Sequence, residues 1–207
     1  MIKRFVGFFT CIAALPAAAT AQRAVEIGPV VGVYAPFGSY EHVSPYWRVG
    51  TPDHPSENRA IAVGLEARAW LNGRFGFQLQ TVTSSVNHPT VITPAGGSIA
   101  SSTRVSSVTA QAVYNFSPES SRNRLWVAAG GGAIRHSGSA YAPYGSPTNP
   151  VGSLGVGSTL TVARNLRASV GVSSLLYHWN LSDTNGTYQR GFEHDILAHG
   201  GITWDLF

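Results

Sequence analysis

The feature that most constrains this chain is a period-two alternation of apolar with small or polar residues, repeated in eight segments. Val25, Ile27, Val31 and Val33 alternate with Glu26, Gly28 and Gly32. Ile61, Val63, Leu65, Ala67, Ala69 and Leu71 alternate with Ala62, Gly64, Glu66, Arg68 and Trp70. The same beat places Phe75, Phe77 and Leu79 opposite Gly76, Gln78 and Gln80, and Val108, Ala110, Ala112, Tyr114 and Phe116 opposite Thr109, Gln111, Val113 and Asn115. Leu154, Val156, Leu160 and Val162 oppose Gly155, Gly157, Thr159 and Thr161, and Leu166, Ala168, Val170 and Val172 oppose Arg167, Ser169, Gly171 and Ser173. Ile196, Ala198, Ile202, Trp204 and Leu206 oppose Asp195, His199, Thr203 and Asp205. Leu125–Ile134 is apolar and Gly-rich on both sides, so its facing stays open. Successive side chains of a strand point to opposite faces, so these segments predict eight two-faced strands.

The connectors alternate too. Asn72-Gly73, Ser117 to Asn123 and Arg164-Asn165 are short; Pro36–Asn58, Asn87–Ser102, Ser137–Pro150 and Asn180–Gly191 are long and rich in Pro, Gly, Ser, Asn and Tyr. An even number of strands with short turns at one end and long loops at the other predicts an all-β, antiparallel up-and-down transmembrane barrel. A soluble barrel has no reason to segregate its loop lengths in this way. In a bilayer the apolar face would meet lipid and the polar face would line the lumen. Aromatics near the strand ends (Tyr34, Trp70, Tyr114, Phe116, Trp126, Tyr177, Trp179, Trp204) are expected to form interfacial girdles.

Composition narrows the alternatives. Charged residues make up 12% of the 207, about half the usual share, while hydrophobic residues reach 43% and glycines number 23. That apolar content excludes a disordered chain, and beyond the N-terminus no apolar run is long enough for a membrane helix. Residues 1–21 are expected to be a signal peptide: Lys3-Arg4, an apolar stretch Phe5–Leu15, then Ala19-Thr20-Ala21 before a cut at Gln22. Residues 22–207 then form the barrel domain. Cleavage would remove Cys11 and Lys3, leaving a chain without cysteine or lysine, and no disulfide scaffold or thiolate metal site. There is no basic run, so no nucleic-acid partner is expected.

The export segment, the eight strands and the ending Gly200-Gly201-Ile202-Thr203-Trp204-Asp205-Leu206-Phe207 resemble the small OmpA/OmpX-like outer-membrane β-barrel proteins. Barrels of this kind end on an alternating apolar strand with a terminal aromatic read by the insertion machinery. Phe207 fits that pattern, although Ile202, Trp204 and Leu206 lie one residue out of register with it. The resemblance implies a place in the bacterial outer membrane, with outer-membrane lipids, lipopolysaccharide and the insertion machinery as partners.

An eight-stranded barrel has room inside only for its own side chains. The expected lumenal polar network is Glu66, Arg68, Gln78, Gln111, Arg167, Asp195 and His199, with Glu66, Arg68, Arg167 and Asp195 neutralising one another. The outer loops offer Tyr40, Tyr46, Trp47, Tyr141 and Tyr144 as candidates for recognition of an unidentified extracellular partner.

Chemistry is less well supported. Some small barrels modify the acyl chains of lipid A, and the lipid A deacylase barrels carry a His-x-Ser-Asn run, but His136-Ser137-Gly138-Ser139 departs from it. Adjacent strand residues face opposite ways, so His136 and Ser137 do not form a pair. Asp195 and His199 share a strand face but lie about 13 Å apart, and His194 faces the other way. No catalytic residue, cofactor or metal site is therefore assigned. The expectation is a monomeric, non-enzymatic outer-membrane barrel with an envelope-structural or surface-interaction role. A lipid A acyl-ester hydrolase or acyltransferase, and a soluble lipocalin-like periplasmic carrier, are the alternatives.

Overall fold

The computed structural model describes residues 24–36, 59–92, 98–118, 121–138, 146–182 and 188–206. The expected signal peptide and the loop aromatics Tyr40, Tyr46, Trp47, Tyr141 and Tyr144 lie outside these residues. Eight strands run in chain order: β1 (Ala24–Pro36), β2 (Ala60–Trp70), β3 (Phe75–Ile92), β4 (Ser98–Asn115), β5 (Asn123–Ser137), β6 (Thr148–Ala163), β7 (Leu166–Ser182) and β8 (Tyr188–Asp205). Each pairs antiparallel with its sequence neighbours, and β8 returns to β1 to close the barrel.

The register fixes the barrel's shape. Followed across the sheet, Glu26 pairs with Arg68, then Gln78, Gln111, Gly130, Ser153, Leu175 and Asp195, which pairs with Pro36. One circuit from residue 26 to residue 36 climbs ten residues over eight strands. A stagger of that size tilts the strands by roughly 40–45° and gives about 2.4 Å of axial rise per residue.

The polarity of the wall is inverted relative to a soluble protein. Ile61 (73%), Val170 (64%) and Leu65 (55%) are exposed on the outside, whereas Glu26 (0%), Asp195 (0%) and Arg68 (1%) are buried inside. Exposure of so many branched aliphatics is stable only where the surroundings are hydrocarbon, and enclosed charges only where they are paired. The seven strands with a clear alternation face as their sequence predicts. The open case is resolved: in β5, Leu125, Val127 and Ala129 face out, while Trp126, Ala128, Ile134 and His136 face in.

The expected girdle needs correction. Tyr34, Trp70, Trp126 and Tyr177 are buried in the lumen, because each is in phase with its strand's inward residues. Tyr114, Phe116 and Trp204 are outside. With Phe75 they form an aromatic band at the end of the short turns, where Phe75 and Tyr114 rings lie 4.9 Å apart and Tyr114 meets Phe116 edge-on at 5.0 Å. The side chain of Trp179 is outside the described set.

Local chemistry makes the short turns. Asn72 Oδ1 accepts the backbone N–H of Arg74 and of Phe75, both at 2.8 Å, a side-chain mimic of a backbone turn. Ser117 Oγ accepts the N–H of Leu125 at 2.9 Å. At the other end, strand pairing continues further than composition suggests. β3 and β4 extend to Ile92 and Ser98, and β7 and β8 to Ser182 and Tyr188, so most of Asn87–Ser102 and Asn180–Gly191 is hairpin rather than loop. Backbone pairing does not require apolar side chains, which is why Ser- and Thr-rich arms read as loop.

Candidate functional site

The lumen is the candidate site that sequence assigns, and the structure stacks it in layers. At the short-turn end, Arg167 on β7 binds Glu26 on β1 at 3.0 Å and Asp205 on β8 at 2.9 Å. Trp70 Nε1 donates to Glu26 Oε1 at 2.6 Å, and Thr203 reaches the other oxygen at 3.5 Å. The carboxylates of two strands thus share one guanidinium, which compensates their burial.

Above this, Arg68 sits at the centre of a second cluster. Its guanidinium pairs with Glu66 at 2.9 Å and donates to Gln78 Oε1 at 2.9 Å and Thr159 Oγ1 at 3.0 Å. Trp126 lies beneath it, 4.7 Å from ring centroid to guanidinium carbon, with its indole N–H on Thr159 at 3.1 Å. The indole rests on glycines: a Cβ at Gly157 would stand 2.3 Å from the ring, and one at Gly171 2.9 Å. Gln80 donates to Glu66 at 3.4 Å, and Gln111 reaches Ser153 at 2.9 Å and Thr109 at 3.1 Å. His199 is buried nearby on β8, within the electrostatic reach of Glu66 and Arg68.

The third layer is apolar and has no counterpart in the expected network. Val30, Ala62, Val82, Val105, Ile134, Val151, Leu175 and Leu197 form one buried cluster across the lumen. These residues occupy the inward phase of their strands, so a reader sorting faces by polarity assigns them to lipid or leaves them out. Parity with Glu26, Gln80, Ser153 or Asp195 is the signal that finds them.

Above them is a fourth, polar group. Tyr34 and Tyr177 both donate to Asp195 Oδ2, the latter at 2.9 Å, and Tyr177 lies 3.3 Å from His136 Nε2. This corrects the expected network. Asp195 does not join Glu66, Arg68 and Arg167, because β8 carries it four inward positions above Thr203, where Arg167 pairs across from β7. The charges are divided among separate clusters: Arg167 with Glu26 and Asp205, Arg68 with Glu66, and Asp195 with two phenols. Glu26, Asp205, Tyr34, Tyr177 and Trp126 join these clusters as well: the sequence marks Glu26 and Asp205 by their inward phase, and the other three only as strand-end aromatics.

His136 and Ser137 face opposite sides of β5: His136 is buried, and Ser137 Oγ bonds outward to the carbonyl of Arg104 at 3.4 Å. Among the described residues, no three His, Cys, Asp or Glu side chains gather as a metal site.

No family model matches the chain, and no curated protein matches it by sequence. Solved structures do match in fold. Neisserial surface protein A superposes with a TM-score of 0.54 at 11% identity, covering 87% of this chain and 95% of that one. The outer-membrane protein OprG of Pseudomonas aeruginosa gives 0.54 at 10% identity, covering 88% and 95%. A major outer-membrane protein of Thermus thermophilus gives 0.53 at 11% identity, covering 89% and 100%. At such identities the likeness carries the fold alone, and the exposed apolar exterior is the surface that a membrane-spanning barrel presents to lipid. This chain is a closed, eight-stranded antiparallel up-and-down β-barrel, the fold it shares with these small outer-membrane proteins.

Proposed function

We propose that this protein is a non-conducting, non-enzymatic outer-membrane barrel that acts at the cell surface, as a structural element of the envelope or through its outer loops. The observation that carries the reading is the filled lumen. Ion-paired, aromatic, aliphatic and hydrogen-bonded layers succeed one another from the short-turn end to the outer end, leaving the interior as a core rather than a passage. The elements left for interaction are the long connections 37–59 and 138–147 and the projecting arms of β3–β4 and β7–β8. The outward Ser137 beside the enclosed His136 supports the absence of acyl-ester chemistry, which needs nucleophile and base in hydrogen-bond reach.

The test is conductance of the folded protein in planar bilayers. A closed barrel gives no stable channel steps, and reproducible open-channel current would overturn the reading. Mass spectrometry of lipid A from cells with and without the protein addresses the enzyme directly, and a changed acyl pattern would replace this proposal with the hydrolase or transferase.

A further inference from the structure

Two arginines on the outside of the barrel are not used by any layer described above. Arg104 of β4 and Arg135 of β5 both point outward and are exposed. Arg104 pairs across with Ser137 and Arg135 with Ser106, so the two are diagonal neighbours, about 7–8 Å apart at Cα. Because the strands tilt, that diagonal runs nearly horizontal, and the two guanidinia stand side by side at one height.

That height is informative. Arg104 lies ten residues up β4 from Tyr114, and Arg135 ten residues up β5 from Leu125. At about 2.4 Å per residue, the pair stands roughly 24 Å above the aromatic band, which is the height of the apolar belt of an outer-membrane barrel. The arginines therefore occupy the outer headgroup level.

They are also uncompensated. Neither guanidinium has an ion pair or side-chain hydrogen bond among the described residues. From residue 67 to residue 182 the sequence contains one carboxylate, Glu119, and it belongs to a short turn at the opposite end. Neither neighbouring loop, 93–97 or 139–145, contains an acidic residue. Below the pair the wall is mostly small: Ala110 and Ala112 on β4, Ala129, Gly131 and Ala133 on β5, and Gly152 on β6 face outward, with Val108, Val127 and Leu154 as the larger side chains among them. On β2 and β3 the same surface carries Ile61, Val63, Leu65, Phe75, Phe77 and Leu79 in nearly unbroken succession.

We infer that Arg104 and Arg135 form a binding site for the phosphate of an outer-leaflet phosphoglycolipid, whose acyl chains lie along the small-residue wall beneath. Guanidinium forks match phosphate oxygens in pairs and remain charged at the interface, and a flat wall lets several saturated chains pack side by side. The site rests on the outer-membrane orientation proposed above.

The experiment uses the folded protein in phosphatidylcholine nanodiscs, titrated with bisphosphorylated lipid A, with dephosphorylated lipid A and with inorganic phosphate. Wild type is expected to bind bisphosphorylated lipid A at least tenfold more tightly than the dephosphorylated form. The double variant R104Q/R135Q is expected to lose that preference. Arg104→Lys with Arg135→Lys should keep part of it, since the charge remains while the fork is lost. R74Q, on the opposite rim, should bind as wild type does. Equal binding of both lipid A forms by wild type, an unchanged preference in R104Q/R135Q, or an equal loss in R74Q overturns the inference. Saturable binding of inorganic phosphate at the same arginines, with no gain from the lipid, overturns it in favour of a soluble ligand. Heat-dependent gel mobility measured on every sample keeps this outcome separate from failure of the barrel reading, because a folded barrel that ignores lipid A loses only the site.

Discussion

Replacing Arg68 with Ala tests whether the lumen is a true low-dielectric core. Arg68 is 1% exposed and supplies the cation of its cluster: Glu66 at 2.9 Å, Gln78 at 2.9 Å and Thr159 at 3.0 Å all depend on it. Without it, Glu66 keeps one amide contact, from Gln80 at 3.4 Å. A buried pair broken on one side typically costs about 3–5 kcal/mol, because an uncompensated charge stays enclosed. The companion variant R68M/E66Q removes both charges and nearly preserves volume, so most of that loss should return, to within about 1–2 kcal/mol of wild type. Urea unfolding of the refolded protein in detergent, followed by tryptophan fluorescence, reads both, since Trp126 stacks under the guanidinium. A cost below about 1 kcal/mol for R68A would refute the argument, as would a double variant no more stable than the single one; either would mean that water reaches Glu66 freely.

Three further outcomes follow from the same structure. Gly157→Val places side-chain atoms where a Cβ already meets Trp126 at 2.3 Å and the Val170 carbonyl at 2.4 Å; a loss of about 1–3 kcal/mol and a shifted tryptophan emission are expected, and unchanged emission would contradict the packing. Leu65→Arg puts a charge on the lipid face near the middle of the apolar belt, where it should cost about 2–4 kcal/mol of folding stability in vesicles; a neutral effect would argue for a water-facing exterior. Tyr177→Phe removes one of two phenols on Asp195 and should destabilise by about 1–3 kcal/mol, with Asp195→Asn in the same background restoring part of it, measured by the same urea transitions.

The wall of this barrel was legible from sequence, and the lumen only in part. Alternation identifies the outward face of β2 from Ile61 to Leu71 because Glu66 and Arg68 mark the other phase unmistakably. It fails in β5, where Ala128 and Ala129 lie on opposite faces and Gly130-Gly131-Gly132 marks neither. Aromatics mislead for a related reason: Tyr34 and Trp70 sit near strand ends, as girdle residues do, but parity with Glu26 and Arg68 turns them inward. The partners of Asp195 depend on the vertical register between β7, β8 and β1, which arises from the stagger of the whole closed sheet. No single strand carries that information. Val82, Val105 and Leu197 escape because an apolar side chain can be assigned to lipid or to lumen at no local penalty, and only the continuity of the alternation decides.

The seam between the first strand and the last has a kinetic consequence. Glu26 pairs with Asp205 across almost the whole length of the described chain, and Arg167 of β7 grips both carboxylates. Until β8 has been delivered, β1 presents an unsatisfied edge, and an unsatisfied edge is costly in hydrocarbon and sticky in water. Closure between the most distant segments makes the final zipping step slow compared with formation of the hairpins. The ionic clasp can form only when β7, β8 and β1 have come together, so it rewards completion and nothing short of it. A nascent chain of this design has to be shielded along its whole length before any part of it gains the stability of the whole.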